Sequence, residues 1–279
     1  MYLHVIDFFY HYKNNDELYM IINHGVRGSI PNPSQNNSFF GGNTPCVEIR
    51  TQKYQLIFDC GSGFSKINLS NDLKTILFIS HFHHDHIQGL AFNNYDFLPK
   101  NKITITSAHS NKTDTYNNLA KYYSSPYFPV NFFEILNTFN FLEFDQVVNN
   151  NKELNIKSID LNHPGKSFGY SITSNNKKFC YLLDNEYEDF QEKKLAGFCN
   201  DSDTVIWDGM FLDDELSEKK GWGHSSIEQG VNFASKIKVN NFLISHHLPT
   251  RNDKEINKLE SRFSNNNIKF ASENKVTEF

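Results

Sequence analysis

The first third of the chain alternates between short apolar runs and polar turns. Runs rich in Ile, Val, Leu, Tyr and Phe are bounded by Gly, Asn, Asp and Ser, which is the pattern of β-strands joined by turns. The pattern predicts four strands, at residues 18–23, 46–51, 54–59 and 75–80. The dipeptide Gln52-Lys53 separates the second strand from the third and predicts a tight hairpin.

Later segments mix strand and helix patterns. Further strands are predicted at residues 103–106, 155–160, 167–173, 178–183, 241–245 and 268–271. Helices are predicted near residues 115–124, 226–236 and 253–263, the second of them starting at a capping-box pattern of Ser225 and Glu228. The run of asparagines at residues 149–151 predicts a solvated turn. Strands first, and then strand and helix in alternation, predict an α/β fold with two mixed sheets covered by helices.

The segment His81-Phe82-His83-His84-Asp85-His86 directly follows the fourth predicted strand. Imidazole and carboxylate groups bind zinc, manganese or iron, and a two-metal centre makes a nucleophile from water at neutral pH. Side chains alternate along a strand, so His81 and His83 point the same way and can bind one ion. Asp85 and His86 follow at the turn and can reach a second ion, whereas His84 is predicted to be exposed and not a ligand. The alternative interpretation is a histidine-rich surface loop without a metal.

Composition narrows the class of protein. The chain has 279 residues, of which 38% are hydrophobic, and no stretch that looks like a linker, so one large domain is predicted. The net charge of -5 and the scattered lysines argue against a long nucleic-acid track, while small anionic substrates stay compatible with bound metal ions. The four cysteines lie far apart without a C-x-x-C pair, which argues against a zinc ribbon or a disulfide framework.

Residues 1–19 precede most of the strand pattern and are predicted to be an N-terminal extension, with residues 20–279 forming the catalytic domain. Met1 and Met20 are both candidate starts of translation. The N-terminus lacks the basic start and long apolar core of a signal peptide, and no stretch approaches the ~20 apolar residues of a membrane span. A cytoplasmic protein without membrane contact is therefore predicted.

The histidine segment resembles the H-x-H-x-D-H signature of the metallo-β-lactamase-fold hydrolases. Three later segments resemble the remaining motifs in the expected order: Asn162-His163-Pro164-Gly165, Tyr181-Leu182-Leu183-Asp184 and Phe242-Leu243-Ile244-Ser245-His246. Taken singly, each polar residue could be an ordinary strand-end residue or a helix cap. The resemblance implies an αββα four-layer sandwich that binds two divalent metal ions, with zinc favoured over manganese or iron. It implies two ligand sets, which are His81, His83, His163 and Asp184 for one ion and Asp85, His86, His246 and Asp184 for the other.

Residues beside these ligands are expected to orient them, because ligating histidines usually donate their other N–H group to a nearby acceptor. Asp59, Ser80 and the turn Gly61-Ser62-Gly63 lie close to the ligand segment in sequence order and are candidates for this role. His247 is adjacent to His246 and is predicted to point away from it, either beside the ligands or at the surface.

A further segment, Gly221-Trp222-Gly223-His224-Ser225-Ser226, resembles the H-S-T motif of the phosphodiesterase branch, which includes ribonuclease Z and bacterial cyclic-nucleotide phosphodiesterases. The resemblance implies that His224 contacts the scissile phosphate as a general acid or charge stabiliser and that Asp208 orients it. A position at the N-terminus of a helix favours anion binding. The alternative is that His224 is an ordinary residue of the first helical turn.

Within this branch the chain from Met20 onward is similar to a small group of cyclic phosphodiesterases that includes the anti-Pycsar proteins. The segments that carry the similarity are residues 25–31, 41–46, 126–130, 163–170 and 221–225. The similarity implies hydrolysis of a 3′,5′-cyclic mononucleotide by a metal-bridging hydroxide that Asp85 orients, in a homodimer. Candidate substrate contacts are Arg27, Asn43, Tyr127 and Phe128, with the two aromatic rings either stacking a nucleobase or simply packing.

Other functions stay open at this point. The main alternative is a ribonuclease-Z-like endonuclease that processes RNA or tRNA 3′ ends, although the sequence shows no long insertion resembling a tRNA-gripping arm. A lactam or thioester hydrolase has no use for the Gly-His-Ser-Ser segment. A nucleotide-binding protein without activity is disfavoured because no ligand position is lost.

Overall fold

The computed structural model describes residues 20–93, 102–135 and 138–278, so the predicted N-terminal extension lies outside the described residues. The strands are β1 (Met20–Gly25), β2 (Cys46–Arg50), β3 (Tyr54–Phe58), β4 (Lys74–Ile79), β5 (Ile103–Ser107), β6 (Phe139–Phe141), β7 (Lys157–Leu161), β8 (Ser167–Ser174), β9 (Lys177–Leu182), β10 (Ser202–Asp208), β11 (Val239–Ser245), β12 (Ile268–Phe270) and β13 (Val276–Glu278). The α-helices are α1 (His84–Ile87), α2 (Lys112–Tyr122), α3 (Phe132–Ile135), α4 (Phe144–Asn150), α5 (Glu192–Cys199), α6 (Asp213–Leu216), α7 (Ile227–Ala234) and α8 (Asp253–Phe263). Among the described residues, no helix has the length and apolar character that crossing a bilayer requires.

These strands form two mixed sheets. The first has the order β13-β1-β2-β3-β4-β5-β6 and the second the order β12-β11-β10-β9-β8-β7. In the first sheet β1, β2 and β3 pair antiparallel and β3 to β6 pair parallel. The second sheet repeats this plan, with β7, β8 and β9 antiparallel and β9 to β12 parallel. The predicted α/β fold with two mixed sheets is confirmed.

The hydrophobic core divides into three clusters that separate four layers. The central cluster lies between the sheets and contains Phe58 and Tyr181, whose ring centroids are 5.5 Å apart. A second cluster packs Phe233 and Ile256 of the helices against the second sheet. A third packs Leu119 of α2 against the first sheet. Both faces of each sheet are therefore covered, which explains why several strands are continuous apolar runs.

Helix caps move two predicted boundaries. The side chain of Asn111 accepts a hydrogen bond from a backbone N–H of the first turn, so α2 begins at Lys112, before the predicted residue 115. Helix α7 begins after Ser226, whose side chain accepts from the backbone N–H of Gln229. The predicted capping box at Ser225 and Glu228 was therefore displaced by one residue.

The segment around residue 150 differs more from the prediction. Asn149 and Asn150 are exposed, as predicted, but they are the last residues of helix α4 and not a turn. Asn151 is buried, and its Oδ1 accepts a hydrogen bond from Lys74 Nζ at 2.6 Å. Asn155 has a left-handed φ of 36°, so the strand predicted from residue 155 begins only at Lys157. Several elements were not predicted, and they are strands β6, β10 and β13 and helices α1, α3, α4, α5 and α6. Most of them are too short to show a clear period.

The carboxyl ends of six strands meet at one edge of the sandwich. They belong to β3 and β4 of the first sheet and to β7, β9, β10 and β11 of the second. The residues at or just after these ends are Asp59, His81, His163, Asp184, Asp208 and His246. The fold thus gathers polar side chains from distant parts of the chain at this edge.

Candidate metal centre

One group of potential ligands joins the ends of β4, β7 and β9. His81, His83, His163 and Asp184 each place a ligand atom within 4.8 Å of the others. Asp184 Oδ2 lies 3.5 Å from Nε2 of both His81 and His163, and His163 Nε2 lies 2.9 Å from His83 Nδ1. His83 is exposed and the other three are buried, so this group opens to solvent on the His83 side.

A second group shares Asp184 with the first and is buried throughout. Its members are Asp85, His86, Asp184 and His246. Asp184 Oδ1 lies 3.0 Å from Nε2 of both His86 and His246, and Asp85 Oδ2 lies 3.4 Å from the same two nitrogens. Asp184 therefore presents one oxygen to each group, as a carboxylate that bridges two ions would. The structure brings together all seven residues that the resemblance suggested as ligands.

Three residues at this edge adopt a left-handed backbone conformation that non-glycine residues rarely take. The φ angles are 58° for Asp59, 60° for Asp184 and 59° for His246. Such a conformation costs about 1–3 kcal/mol and persists only where the surrounding structure enforces it. Each of these residues lies where a strand ends, so the bend turns its side chain toward the shared edge. Local strain of this kind clusters at functional sites.

Outer hydrogen bonds orient the imidazoles, as predicted for Asp59 and Ser80. Asp59 Oδ2 accepts from His86 Nδ1 at 2.7 Å and from the Tyr181 hydroxyl at 2.7 Å. The Ser80 hydroxyl donates to Asp59 Oδ2 at 2.8 Å and lies 3.0 Å from His81 Nδ1. With Nδ1 bound in this way, Nε2 of His86 is the nitrogen left to bind an ion.

The donor atoms fit divalent cations. Four buried atoms make no hydrogen bond within the described residues although they face one another, and they are Nε2 of His81, His86 and His246 and Oδ1 of Asp184. Buried polar atoms are almost always paired, and neighbouring lone pairs repel one another unless a proton or a cation lies between them. A mixed set of imidazoles and carboxylates suits zinc, manganese or iron. A cation in each group would relieve both the repulsion and the missing bonds.

The electrostatics also favour cations. Burial lowers the pKa of His81 well below its ordinary value, so this imidazole is neutral. Burial acts the same way on His86, but the charges of Asp184, Asp85 and Asp59 outweigh it and raise the pKa of His86 well above its ordinary value. Without a metal, a proton on His86 therefore partly neutralises the carboxylates. A bound cation would replace that proton, so metal binding should release protons.

A histidine and a carboxylate adjoin the two groups. His224 Nδ1 lies 2.8 Å from Asp208 Oδ2, and the His224 ring stacks on that of His246 at a centroid distance of 5.1 Å. Burial opposes protonation of His224, but the charge and hydrogen bond of Asp208 outweigh it and raise its pKa to about 9. Asp184, Asp208, His224 and His246 also converge as a third group of possible ligands. We expect His224 to be an imidazolium beside the centre at neutral pH.

A family comparison decides the class of protein. Residues 55–247 match the family described as the beta-lactamase superfamily domain, which is more than half of the chain. The chain belongs to the beta-lactamase superfamily. No curated protein matches it in sequence.

Solved structures of similar fold support this assignment. The chain aligns with the metallo-beta-lactamase fold protein YhfI from Bacillus subtilis with a TM-score of 0.67 and 17% identity, over 94% of this chain and 100% of YhfI. Human tRNase Z, short form, gives a TM-score of 0.62 and 18% identity over 92% and 98%. Yeast PDE1 gives 0.59 and 14% over 95% and 100%. At these identities the similarity shows the fold, which is the metallo-β-lactamase fold of a hydrolase family.

The residues of this chain that were predicted to contact substrate differ in their contacts. Arg27 is fully buried, and its guanidinium donates to the backbone carbonyls of Gly41 and Arg251, so it joins loops and has no solvent-facing surface. The Asn43 side chain binds Glu273 and Ser62. These contacts do not support direct substrate binding by Arg27.

The two aromatic residues predicted to contact substrate, Tyr127 and Phe128, differ in exposure and packing. Tyr127 is 71% exposed. Phe128 packs on the third core cluster, with its ring centroid 5.2 Å from that of Tyr123. Tyr127 is therefore the more accessible of the two rings.

His84 and His247, each adjacent in sequence to a predicted ligand, lie outside the ligand groups. His84 is exposed, as predicted, and its Nδ1 contacts the Tyr122 hydroxyl. His247 is buried and its Nε2 donates to the Ala271 carbonyl at 2.9 Å, so the surface position allowed by the sequence is wrong. Burial lowers the pKa of His247 to about 3, and its imidazole is neutral.

Some supporting contacts were not predicted. The Ser29 backbone N–H donates to Asp85 Oδ2 at 2.8 Å, and the Gly223 carbonyl accepts from His163 Nδ1 at 2.8 Å. Glu186 binds the backbone of the loop that precedes His224. The sequence signals for that loop were its pair of glycines, Gly221 and Gly223, and the resemblance of residues 221–226 to the H-S-T motif. Neither signal indicates the backbone contacts of the loop.

Proposed function

We propose that the protein is a metal-dependent phosphodiesterase that hydrolyses 3′,5′-cyclic mononucleotides. The observation that carries the proposal is the His224–Asp208 pair beside the two ligand groups. A lactam or thioester hydrolase needs no imidazolium at this position, whereas a phosphodiester offers both negative oxygens for it to bind and a leaving oxygen for it to protonate.

The ligand groups would hold two divalent ions, through His81, His83, His163 and Asp184 on one side and Asp85, His86, His246 and Asp184 on the other. When bound, such ions supply Lewis-acid charge at phosphoryl oxygens and lower the pKa of water. Exposure on the His83 side leaves a path by which substrate can enter.

Asp85 is suited to orient the attacking water. Burial would raise the pKa of Asp85, but the charge of His86 outweighs burial and holds it well below its ordinary value, so the carboxylate is ionised. The backbone N–H of Ser29 fixes Oδ2 at 2.8 Å. An ionised carboxylate held in this way can accept a hydrogen bond from water.

His224 is suited to protonate the leaving oxygen. Because Nδ1 is bound to Asp208, Nε2 is the nitrogen that can donate to substrate. Water adds to phosphorus, the P–O3′ bond breaks, and O3′ takes the proton from His224. Asp85 accepts a hydrogen bond from the attacking water, the water proton leaves to solvent, and the product is a nucleoside 5′-monophosphate. His224, which has given its proton to O3′, is then protonated again from solvent.

Composition supports a small substrate. The net charge of -5 provides no basic track for a long nucleic acid. Yeast PDE1 and human tRNase Z share the fold, so a ribonuclease-Z-like endonuclease remains the second candidate. The homodimer expected from the resemblance stays a prediction, which light scattering coupled to size-exclusion chromatography would test.

The test is a substrate panel with purified protein loaded with zinc or manganese and its metal content measured. The panel contains the four 3′,5′-cyclic mononucleotides, a cyclic dinucleotide, a linear diester and a tRNA precursor. Turnover of a cyclic mononucleotide to the 5′-monophosphate would support the proposal. Cleavage of the tRNA precursor without action on any cyclic mononucleotide would overturn it in favour of the endonuclease.

His224→Ala separates the chemical role of this residue from metal binding. We expect the variant to keep its metals and to lose at least about 100-fold in kcat, the usual contribution of a general acid. His84→Ala, which removes an exposed imidazole outside both ligand groups, is the matched control. Full activity in His224→Ala would remove His224 from the mechanism.

A further inference from the structure

A buried carboxylate without a cationic partner in the described residues lies beside the candidate centre. Glu186 is 8% exposed and follows Asp184 by two positions. Both of its carboxylate oxygens accept from the backbone N–H of Gly221, at 2.9 and 2.8 Å, and Oε2 also accepts from that of Gly223 at 2.9 Å. Burying a carboxylate is costly, and hydrogen bonds from N–H groups offset the cost. The arrangement therefore gives this loop one defined shape.

The loop bound by Glu186 contacts the potential ligand His163 and leads directly into His224. The Gly223 carbonyl accepts from His163 Nδ1 at 2.8 Å, and His224 is the next residue. A carbonyl oxygen can only accept, so Nδ1 of His163 carries its proton and Nε2 is left free to bind an ion. One loop thus sets the ring tautomer of His163 and the position of His224.

The glycines are required by this geometry. Gly221 and Gly223 have φ angles of 83° and 86°, a region that favours glycine. A Cβ atom on Gly223 would lie 2.0 Å from His163 Nδ1, so the backbone packs directly on the imidazole. Such close contact transmits a small movement of the loop to the ring.

The backbone of Glu186 also binds the loop that carries Asn162 and His163. Its N–H donates to the Asn162 carbonyl at 2.8 Å, and Asn162 Nδ2 donates to the Glu186 carbonyl at 2.9 Å. Asn162 directly precedes His163. The loops that carry His163, Asp184 and His224 therefore all meet at Glu186.

We propose that Glu186 is a positioning residue that fixes His163 and His224 relative to each other by binding the backbone of the 221–223 loop. The proposal rests on the proposed metal centre. Glu186 itself touches neither a ligand atom nor the reacting groups in this scheme.

The chain contains a reporter for the loop. It has two tryptophans, of which Trp207 is 1% exposed and Trp222, between the two bound glycines, is 58% exposed. Protein labelled with 5-fluorotryptophan gives two fluorine resonances, and the one lost in Trp222→Phe belongs to the loop. Trp207 serves as an internal reference for the core.

The experiment compares Glu186→Gln with wild type and with Glu218→Gln, which removes an exposed carboxylate just before the same loop. The side chain in Glu186→Gln keeps one oxygen that can accept a hydrogen bond. Its NH2 group takes the place of the other carboxylate oxygen and faces the backbone N–H groups of the loop, from which it cannot accept. We expect the Trp222 resonance to shift and sharpen, the Trp207 resonance to stay, and zinc affinity to fall about tenfold, as is usual when a partner that orients a ligand is lost. Glu218→Gln should match wild type in both measurements.

An unchanged Trp222 resonance together with unchanged zinc affinity would overturn the proposal. If Glu186→Gln does not fold, Glu186→Asp, which keeps the charge but shortens the side chain, is measured in the same way and should show the same two changes. Unfolding of both variants beside a stable Glu218→Gln would assign Glu186 to fold stability and would also overturn it. Neither readout needs turnover, so a wild-type protein inactive on every phosphodiester would refute the proposed function and leave this test intact.

Discussion

Asp208→Asn isolates the electrostatic effect of one carboxylate on His224. In the native site burial disfavours the imidazolium, and Asp208 at 2.8 Å more than offsets this, so that the pKa of His224 is about 9. The amide removes the charge but keeps a similar shape. We expect the pKa to fall to 6.5 or lower, which corresponds to about 3 kcal/mol of lost stabilisation of the charged form.

The consequence grows with pH, because a raised pKa matters only where the unassisted histidine would be neutral. For a fall from about 9 to 6.5, the ratio of protonated His224 in wild type to that in the variant is about 1 at pH 6 and about 75 at pH 8.5. We expect kcat to follow this ratio. The alkaline loss of activity should therefore begin at lower pH in the variant than in wild type, and the difference in activity should grow as the pH rises.

The assay is the release of 5′-monophosphate from a cyclic mononucleotide across this pH range, with metal content measured at each pH. Metal content is the needed control because Asp208 Oδ1 also lies 3.9 Å from His246 Nδ1. A variant that keeps its metals and shows the alkaline limb of wild type would refute the role given to Asp208.

Three further predictions concern the metals and the aromatic residues. In Gly28→Ala the new Cβ would lie 2.7 Å from the His246 ring, so zinc affinity measured by calorimetry should fall about tenfold. The control is Gly197→Ala, whose Cβ would meet nothing within 4 Å and which should bind zinc as wild type does. Equal zinc affinities of the two variants would contradict the packing argument. Zinc at a thousandfold excess over its Kd should stabilise the protein by about 4 kcal/mol and raise the Tm by about 10 °C, and a Tm insensitive to chelator would count against the site. Tyr127→Ala should change the free energy of unfolding by less than about 0.5 kcal/mol and raise KM, whereas Phe128→Ala should cost about 1–2 kcal/mol in a denaturant titration; the reverse order would show that the two rings exchange roles.

Much of the fold was predictable because its signals are local. The strands at residues 46–51, 54–59 and 75–80 were placed within one residue of their observed bounds at all six ends, and the helix at residues 253–263 agrees fully. A buried strand and an amphipathic helix each write their period into a few neighbouring residues. Caps were less predictable, since Ser225 and Ser226 offer the same hydroxyl one residue apart, and only the backbone geometry selects Ser226.

The sequence by itself determined which residue types could act as metal ligands, through the spacing of His81, His83, Asp85 and His86 and through the resemblance that extends to the later motifs. Only the tertiary structure decided that Asp184 presents one oxygen to each group, that Asp59 holds His86, and that Glu186 joins three loops. These contacts connect residues from different strands and depend on how the two sheets stack and where their strands end. No local period encodes that arrangement, because the side chains that meet are separated along the chain by whole elements whose packing sets the distance.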